Sequence, residues 1–195
     1  AKAASIAGDL VVQNARVRAI GEDAGGFRPI SEKDLFDCEY WSLEQAKLGK
    51  GAPPKFQGKI VMITGGSGTI GFAIAEAFSK LGAQTILVDK DEIALKESVT
   101  KLGVGHKYLP IDVTHSDAAN QAMLAAINIF GGLDILISNA GAAHAGPMLD
   151  ISNEELRNAF ELNFFSHYSF STEAAKIMKD QNRGGQILFN ISKQA

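Results

Sequence analysis

A doubly wound α/β fold around a buried parallel sheet is predicted by three features of this chain. From about residue 59 onward, short β-type runs alternate with longer helical periods, the order in which parallel βαβ units are laid down. The β-type runs are continuously apolar, as in Ile86-Leu87-Val88 and Ile135-Leu136-Ile137, a pattern suited to strands covered on both faces. Between the first strand and the first helix of this region stands a glycine-rich turn, Thr64-Gly65-Gly66-Ser67-Gly68-Thr69-Ile70-Gly71.

Strands are expected over 59–64, 85–89, 106–112, 134–139 and 186–191. Between them, Ile70, Ile74, Phe78 and Leu81 recur at helical spacing and place one apolar stripe on a helix that Gly82 ends. A second helix is read over about 91–102. Met123, Ile127 and Phe130 mark a third, from about Ser116 to the stop at Gly131-Gly132. The stretch 152–179 is too long for an ordinary single helix, so a break is expected near Asn163.

The first 55 residues differ in kind. Ile6, Leu10 and Val17 line one helix, Ser31 with Glu32 starts another, and Gly49-Lys50-Gly51-Ala52-Pro53-Pro54 reads as a linker. A segment this short, with few large apolar residues, does not fold alone. The expected organisation is therefore a mostly helical bridging segment over 1–55 and a dinucleotide-binding domain over 56–195, incomplete at its C-terminal end.

Composition excludes several classes. The chain has 195 residues, 46% of them hydrophobic and 21% charged, which fits a globular protein with a sizeable core. A net charge of −3 offers no basic field for nucleic acid or for an anionic membrane surface. No apolar run approaches the ~20 residues of a membrane span, and no signal-peptide layout opens the chain. The single cysteine, Cys38, has no internal disulfide partner and points to a reducing compartment, so the cytoplasm is expected. His106, His115, His144 and His167 are scattered, and no ligand cluster for a metal is read from them; His144 is the one expected to face a substrate.

The glycine-rich turn reads as a phosphate cradle. Gly65, Gly68 and Gly71 permit a tight turn, close backbone approach to a pyrophosphate and close packing of helix on strand, while the helix N-terminus presents N–H groups to the anion. Asp89 closes the second strand, 18 positions after Gly71, near the ~20 expected of a ribose-binding carboxylate. Together these make the fold Rossmann-type. Further motifs stand at the carboxyl ends of the strands, where such sheets bind ligands: Asp112-Val113-Thr114, Asn139-Ala140-Gly141 and Asn190-Ile191-Ser192, with Asn163 in the long helical stretch.

With these motifs in this order and spacing, residues 56–195 resemble the short-chain dehydrogenase/reductase family. The resemblance implies that Gly65, Ser67, Gly68, Thr69, Ile70 and Gly71 wrap a pyrophosphate and that Asp89 accepts from the adenosine ribose hydroxyls. A carboxylate there repels a 2′-phosphate, so NAD(H) is expected over NADP(H); the neighbouring Lys90 is read as a solvated surface charge. By the same resemblance Asp112 and Val113 recognise adenine, while Asn139, Ala140, Gly141 and Ile191 line the cofactor. Asn163 matches the asparagine of the family's catalytic tetrad, and Ser192 lies near its catalytic serine. A small-molecule substrate and a homo-oligomer are implied as well.

The chain departs from the family pattern in three places. Thr69 replaces a glycine usual in single-domain members, a spacing nearer that of the epimerase-like branch. Lys193 stands where many members carry the catalytic serine; either the register slips or another residue serves. The family's acid–base Tyr lies four residues before a Lys, whereas Tyr40, Tyr108 and Tyr168 are followed at that distance by Glu44, Asp112 and Thr172. The chain by itself is thus expected to lack turnover.

Residues 34–48, Asp34-Leu35-Phe36-Asp37-Cys38-Glu39-Tyr40-Trp41 through Leu48, look like the bridge in bifunctional proteins that join a class II aldolase module to a short-chain dehydrogenase. Those proteins are similar to ones that split rhamnulose 1-phosphate and oxidise the resulting lactaldehyde. The readings are thus an NAD-dependent oxidoreductase acting on a small aldehyde or alcohol, an epimerase or dehydratase that borrows and returns a hydride, or a silent dinucleotide-binding module.

Phe36, Tyr40 and Trp41 carry a large apolar area that a bridging segment would bury against a neighbour. Trp41 is the only tryptophan, so its emission is expected to be blue-shifted from that of a hydrated indole. A fully hydrated spectrum, both in this chain and in a polypeptide carrying the aldolase module, contradicts docking.

Overall fold

The computed structural model describes residues 2–26, 28, 31, 32, 34, 53–143, 146, 147 and 149–191. It divides into two compact units, 1–53 and 54–195. Cys38, the Phe36, Tyr40 and Trp41 cluster, His144 and Ser192 lie outside the described residues.

In the first unit α1 spans Lys2–Asp23, with Ile6, Leu10 and Val17 all exposed. Ser31 behaves as a helix cap: its Oγ accepts from the Asp34 amide at 3.1 Å.

The second unit runs β1 (Ile60–Thr64), α2 (Thr69–Lys80), β2 (Gln84–Asp89), α3 (Glu92–Leu102), β3 (Lys107–Pro110), α4 (Ala118–Phe130), β4 (Ile135–Ser138), α5 (Asn153–Phe160), a π-helical turn (Glu161–Phe165), α6 (Ser166–Asp180) and β5 (Gln186–Phe189). All strands pair in parallel, in the order β3-β2-β1-β4-β5. Alternate residues of the central strands enter opposite cores. Met62, Ile86, Val88 and Leu136 pack with Ala122 and Met123 of α4 and Phe170 and Ala174 of α6. Val61, Ile63, Leu87 and Ile137 pack with Ala75 of α2 and Leu95 of α3. Every residue of β1 is buried, which explains its unbroken apolar run.

Three local outcomes refine the expected elements. β3 is shorter than 106–112 because the chain turns after Pro110: the Ile111 amide still reaches the Asp89 carbonyl of β2 at 2.9 Å but also donates to the Leu109 carbonyl at 3.0 Å, and Asp112 continues the turn by accepting from the Thr114 amide at 3.0 Å. β4 is shorter than 134–139 by one residue at each end, although the Asp134 backbone still pairs with Ile60 and Gln186. Asp134 holds the Ile60 amide at 3.0 Å and Lys59 Nζ at 2.9 Å, and Asn139 turns to β1. The break near Asn163 is the π-helical turn, where Asn163 Nδ2 donates to the Ala159 carbonyl at 3.0 Å. No helix among the described residues is long and apolar enough to cross a membrane.

At the amino end of the sheet, buried His106 ties β2 to α2. Its Nδ1 accepts from the Thr85 amide at 3.2 Å, which leaves the proton on Nε2, 3.0 Å from Ser79 Oγ. Burial lowers the His106 pKa; burial also lowers that of His167, against a backbone hydrogen bond with Ala140. The unfolded chain therefore takes up protons first as the pH drops. This stability is complete above about pH 6.5 and is lost as the pH falls from there towards the folded-state values. Urea unfolding followed from about pH 7 to 5 should show a falling midpoint, with a shallower fall in His106→Asn.

Candidate functional site

The site is built where α2 starts and where β1 and β4 part. Gly65 leaves β1 at φ +63°, a conformation that favours glycine, and a Cβ there would sit 3.0 Å from Ala140 Cα. The loop then lies on β2: the Gly66 amide donates to the Val88 carbonyl at 3.1 Å, and a Cβ on Gly66 would come within 2.8 Å of Leu87 Cβ. Gly71 is pressed against the loop, so that a Cβ would fall on the Gly65 carbonyl oxygen and 2.9 Å from Gly66 Cα. Gly68 differs from all three. Its φ of −70° suits any residue, and a Cβ would touch only the Gly65 carbonyl, at an ordinary 3.4 Å. Neither backbone geometry nor internal packing asks for glycine at 68.

Gly68 is also the N-cap of α2, and no side chain caps that helix. By contrast, Asp91 caps α3 through the Ala94 amide, and Ser152 with Glu155 forms a capping box on α5. The first-turn N–H groups of α2 are thus left without a side-chain partner, with Thr69 and Ile70 exposed beside them, the kind of helix end at which an anion can be received.

Asp89 is turned into this loop. Its Oδ2 accepts from Ser67 Oγ at 2.6 Å and the Ser67 amide at 3.3 Å, while Oδ1 accepts from the Lys90 amide at 2.8 Å. Asp112 follows β3 on the same edge, its carboxyl held below the usual carboxylate range chiefly by the hydrogen bond from the Thr114 backbone. The Val113 side chain is buried in the core, which leaves its backbone for any ligand.

On the other side of β1, Thr64 Oγ1 accepts from the amides of Asn139 and Ala140 at 2.9 and 3.0 Å. Asn139 Nδ2 donates to the Thr64 and Gly65 carbonyls at 3.0 and 3.3 Å, and Asn190 Nδ2 donates to Asn139 Oδ1 at 2.7 Å. Asn163 clasps the next stretch: its Oδ1 accepts from the Ala142 amide at 3.1 Å and its Nδ2 donates to the Ala142 carbonyl at 3.0 Å. Gly141 lies beneath, where a Cβ would meet Asn163 Oδ1 at 3.0 Å. Ile191 stands exposed after β5.

The fold therefore gathers the glycine loop, Asp89, Asp112, Asn139 to Gly141, Asn163 and Ile191 at the carboxyl ends of the strands. Three contributors stood in the sequence reading only as members of motifs, with no role of their own: Thr64, Gly66 and Asn190. Their signals were a threonine ending the first strand, the second member of a glycine pair and an asparagine just past the last strand.

A doubly wound parallel sheet with this rim defines a class, and residues 59–195 match the family described as short chain dehydrogenase. The chain belongs to that family. Residues 1–48 match a second family, described as aldolase class II, second domain. The uncharacterized oxidoreductase YuxG of Bacillus subtilis (strain 168) is 33% identical over 178 residues, 88% of this chain and 26% of that protein. A short-chain type dehydrogenase/reductase from Mycobacterium marinum, known by its crystal structure, is similar with a TM-score of 0.68 and 29% identity, over 72% of this chain and 58% of that one. An NAD+-bound xylitol dehydrogenase gives 0.67 and 29%, over 71% and 54%. The chain thus spans about a quarter of the first relative and somewhat over half of the two structures.

The glycines separate by experiment. Gly71→Ala should cost about 1–3 kcal/mol of stability, since backbone and not a flexible side chain must yield. Gly68→Ala should cost less, no more than about 1 kcal/mol for the poorer N-cap, because no packing must yield.

Proposed function

We propose that residues 56–195 are the NAD(H)-binding domain of an oxidoreductase that acts on a small aldehyde or alcohol, such as lactaldehyde in deoxy-sugar breakdown. The carrying observation is the cradle: an uncapped helix N-terminus whose N-cap, Gly68, is free of internal packing, with Asp89 held beside it. Backbone approach by a pyrophosphate explains a glycine that the fold does not otherwise need.

In this reading the α2 N-terminus holds the pyrophosphate through Ser67, Thr69 and Ile70, and Asp89 accepts from the adenosine ribose. Asp112 and the Val113 backbone take the adenine edge. Asn139, Ala140, Gly141 and Ile191 line the other half of the cofactor. Asn163 orders the helix and the loop beside the reacting end, and Ser192 hydrogen-bonds the substrate oxygen. When bound, the nicotinamide supplies the hydride chemistry. The proton-transfer Tyr–Lys pair is not among these 195 residues, so the chain is proposed to bind cofactor without turnover. That same absence motivates the second reading, a silent dinucleotide-binding module.

Residues 1–55 are proposed as a bridge to a class II aldolase module, supported by the match over 1–48 and by a 22-residue helix that leaves Ile6, Leu10, Val17 and Ile20 exposed. A homo-oligomer is proposed through α5, the π-helical turn and α6, where Leu156, Phe160, Phe164, Phe165 and Tyr168 are exposed. The proposed location is the cytoplasm.

Titration of the chain with NADH and NADPH should give tighter binding of NADH, because a carboxylate at the ribose opposes a 2′-phosphate. Asp89→Ala should narrow the gap, and Gly68→Ala should weaken both. Equal affinities or a preference for NADPH contradict the NAD assignment, and steady NADH production by the chain contradicts its proposed inactivity.

A further inference from the structure

His167 lies one helical turn beyond Asn163, on the same face of the long helical stretch. The two side chains grip the extension of β4 at alternate residues. Asn163 holds the backbone of Ala142 at both its amide and its carbonyl. His167 Nδ1 is 2.7 Å from Ser138 Oγ, and Ala140 is buried in the core that Phe170 and Ala174 of α6 cover. Residues 138, 140 and 142 therefore face the helix, whereas Asn139 between them faces β1, where its amide reaches Thr64 and Gly65. Period-two alternation makes this phase decisive, since a slip of one residue exchanges the two rows. The same imidazole centroid is 6.1 Å from that of Phe189, the last residue of β5, and the Ser138 carbonyl receives the Asn190 amide at 3.0 Å. One buried ring thus underlies the ends of both β4 and β5.

An apolar residue would serve packing alone. Ser138 is 1% exposed, so its hydroxyl depends on a partner supplied from within the protein. A polar pair across a helix–strand contact costs desolvation and returns a single register.

We propose that His167 is a positioning residue for the nicotinamide half of the cofactor, acting through Ser138 on the rim Asn139 to Gly141. The inference rests on the dinucleotide reading above. Strand order supplies the direction: Asp89 on β2 lies to one side of β1 and β4 to the other. A cofactor whose adenosine ribose is at Asp89 and whose pyrophosphate is at α2 carries its remaining half towards β4. Altering the β4 rim should therefore affect that half while leaving the adenosine half in place.

The test compares two ligands on the 195-residue chain, NADH and ADP-ribose, which lacks the nicotinamide. His167→Phe keeps an aromatic ring beside Phe189 and removes the hydrogen bond to Ser138. It should weaken NADH about tenfold while ADP-ribose changes by no more than about twofold. His167→Asn, whose amide occupies the place of Nδ1, should bring NADH back to within about threefold of the unsubstituted chain. If His167→Phe does not fold, Ser138→Ala carries the same comparison with a smaller, same-direction loss. An unchanged ratio of the two affinities in a folded variant, an equal loss of both ligands, or no recovery in His167→Asn overturns the inference. So does NADH binding no tighter than ADP-ribose in the unsubstituted chain. Binding of neither ligand by the unsubstituted chain overturns the dinucleotide reading itself, and the inference with it.

Discussion

Thr64 and Asn139 join the carboxyl ends of the two central strands, and the rim of the sheet depends on that junction. The ladder between β1 and β4 pairs Ile63 with Ile137 and goes no further. Beyond it the chain after β1 enters α2, which covers one core, while the chain after β4 leads to α6, which covers the other. Backbone groups released where the paths separate need new partners. The Thr64 hydroxyl takes two amides of the β4 end, and the Asn139 amide takes two carbonyls of the β1 end. Thr64 is 2% exposed, so this exchange is made away from competing water.

From that junction the remaining parts of the rim follow. Gly65 turns immediately after Thr64, so the loop starts from an anchored position, and Gly66 and Gly71 seat it on β2 and α2. Ser67 then reaches Asp89, which links the loop to the end of β2. In the other direction Asn190 joins β5 to Asn139, and Asn163 fixes Ala142. Residues separated by 50 positions or more in the chain are thereby held at hydrogen-bond distance.

Polar side chains serve the opposite ends of the strands in the same way. Asp134 collects the Ile60 amide and the Lys59 ammonium, and Gln181 at the end of α6 pairs with both backbone groups of Leu133 at 2.8 Å. These contacts terminate strands whose interiors are apolar on both faces, so register is set at the ends and burial supplies the driving force between them.

Much of the second unit was legible in the chain because its signals are local. A strand buried on both faces must be apolar throughout, a helix that covers it must repeat every three or four residues, and a turn that leaves β1 with positive φ favours glycine. Those rules place β1, β2, α2 and the loop, and even the interruption at Asn163, since a stretch as long as 152–179 exceeds one ordinary helix. The reasons for individual residues were not legible in the same way. Gly65, Gly66, Gly68 and Gly71 look alike in sequence, yet one serves φ, two serve packing and one serves neither. Thr64, Asn190 and His167 gained their parts only from partners 29 to 76 positions away, brought near by strand order. The sequence alone determined the layered α/β architecture and the family, because both rest on periodicity and short motifs. Which side chains hold the rim together was decided by tertiary structure, because hydrogen bonds between strand ends depend on register and crossover, which no local pattern contains.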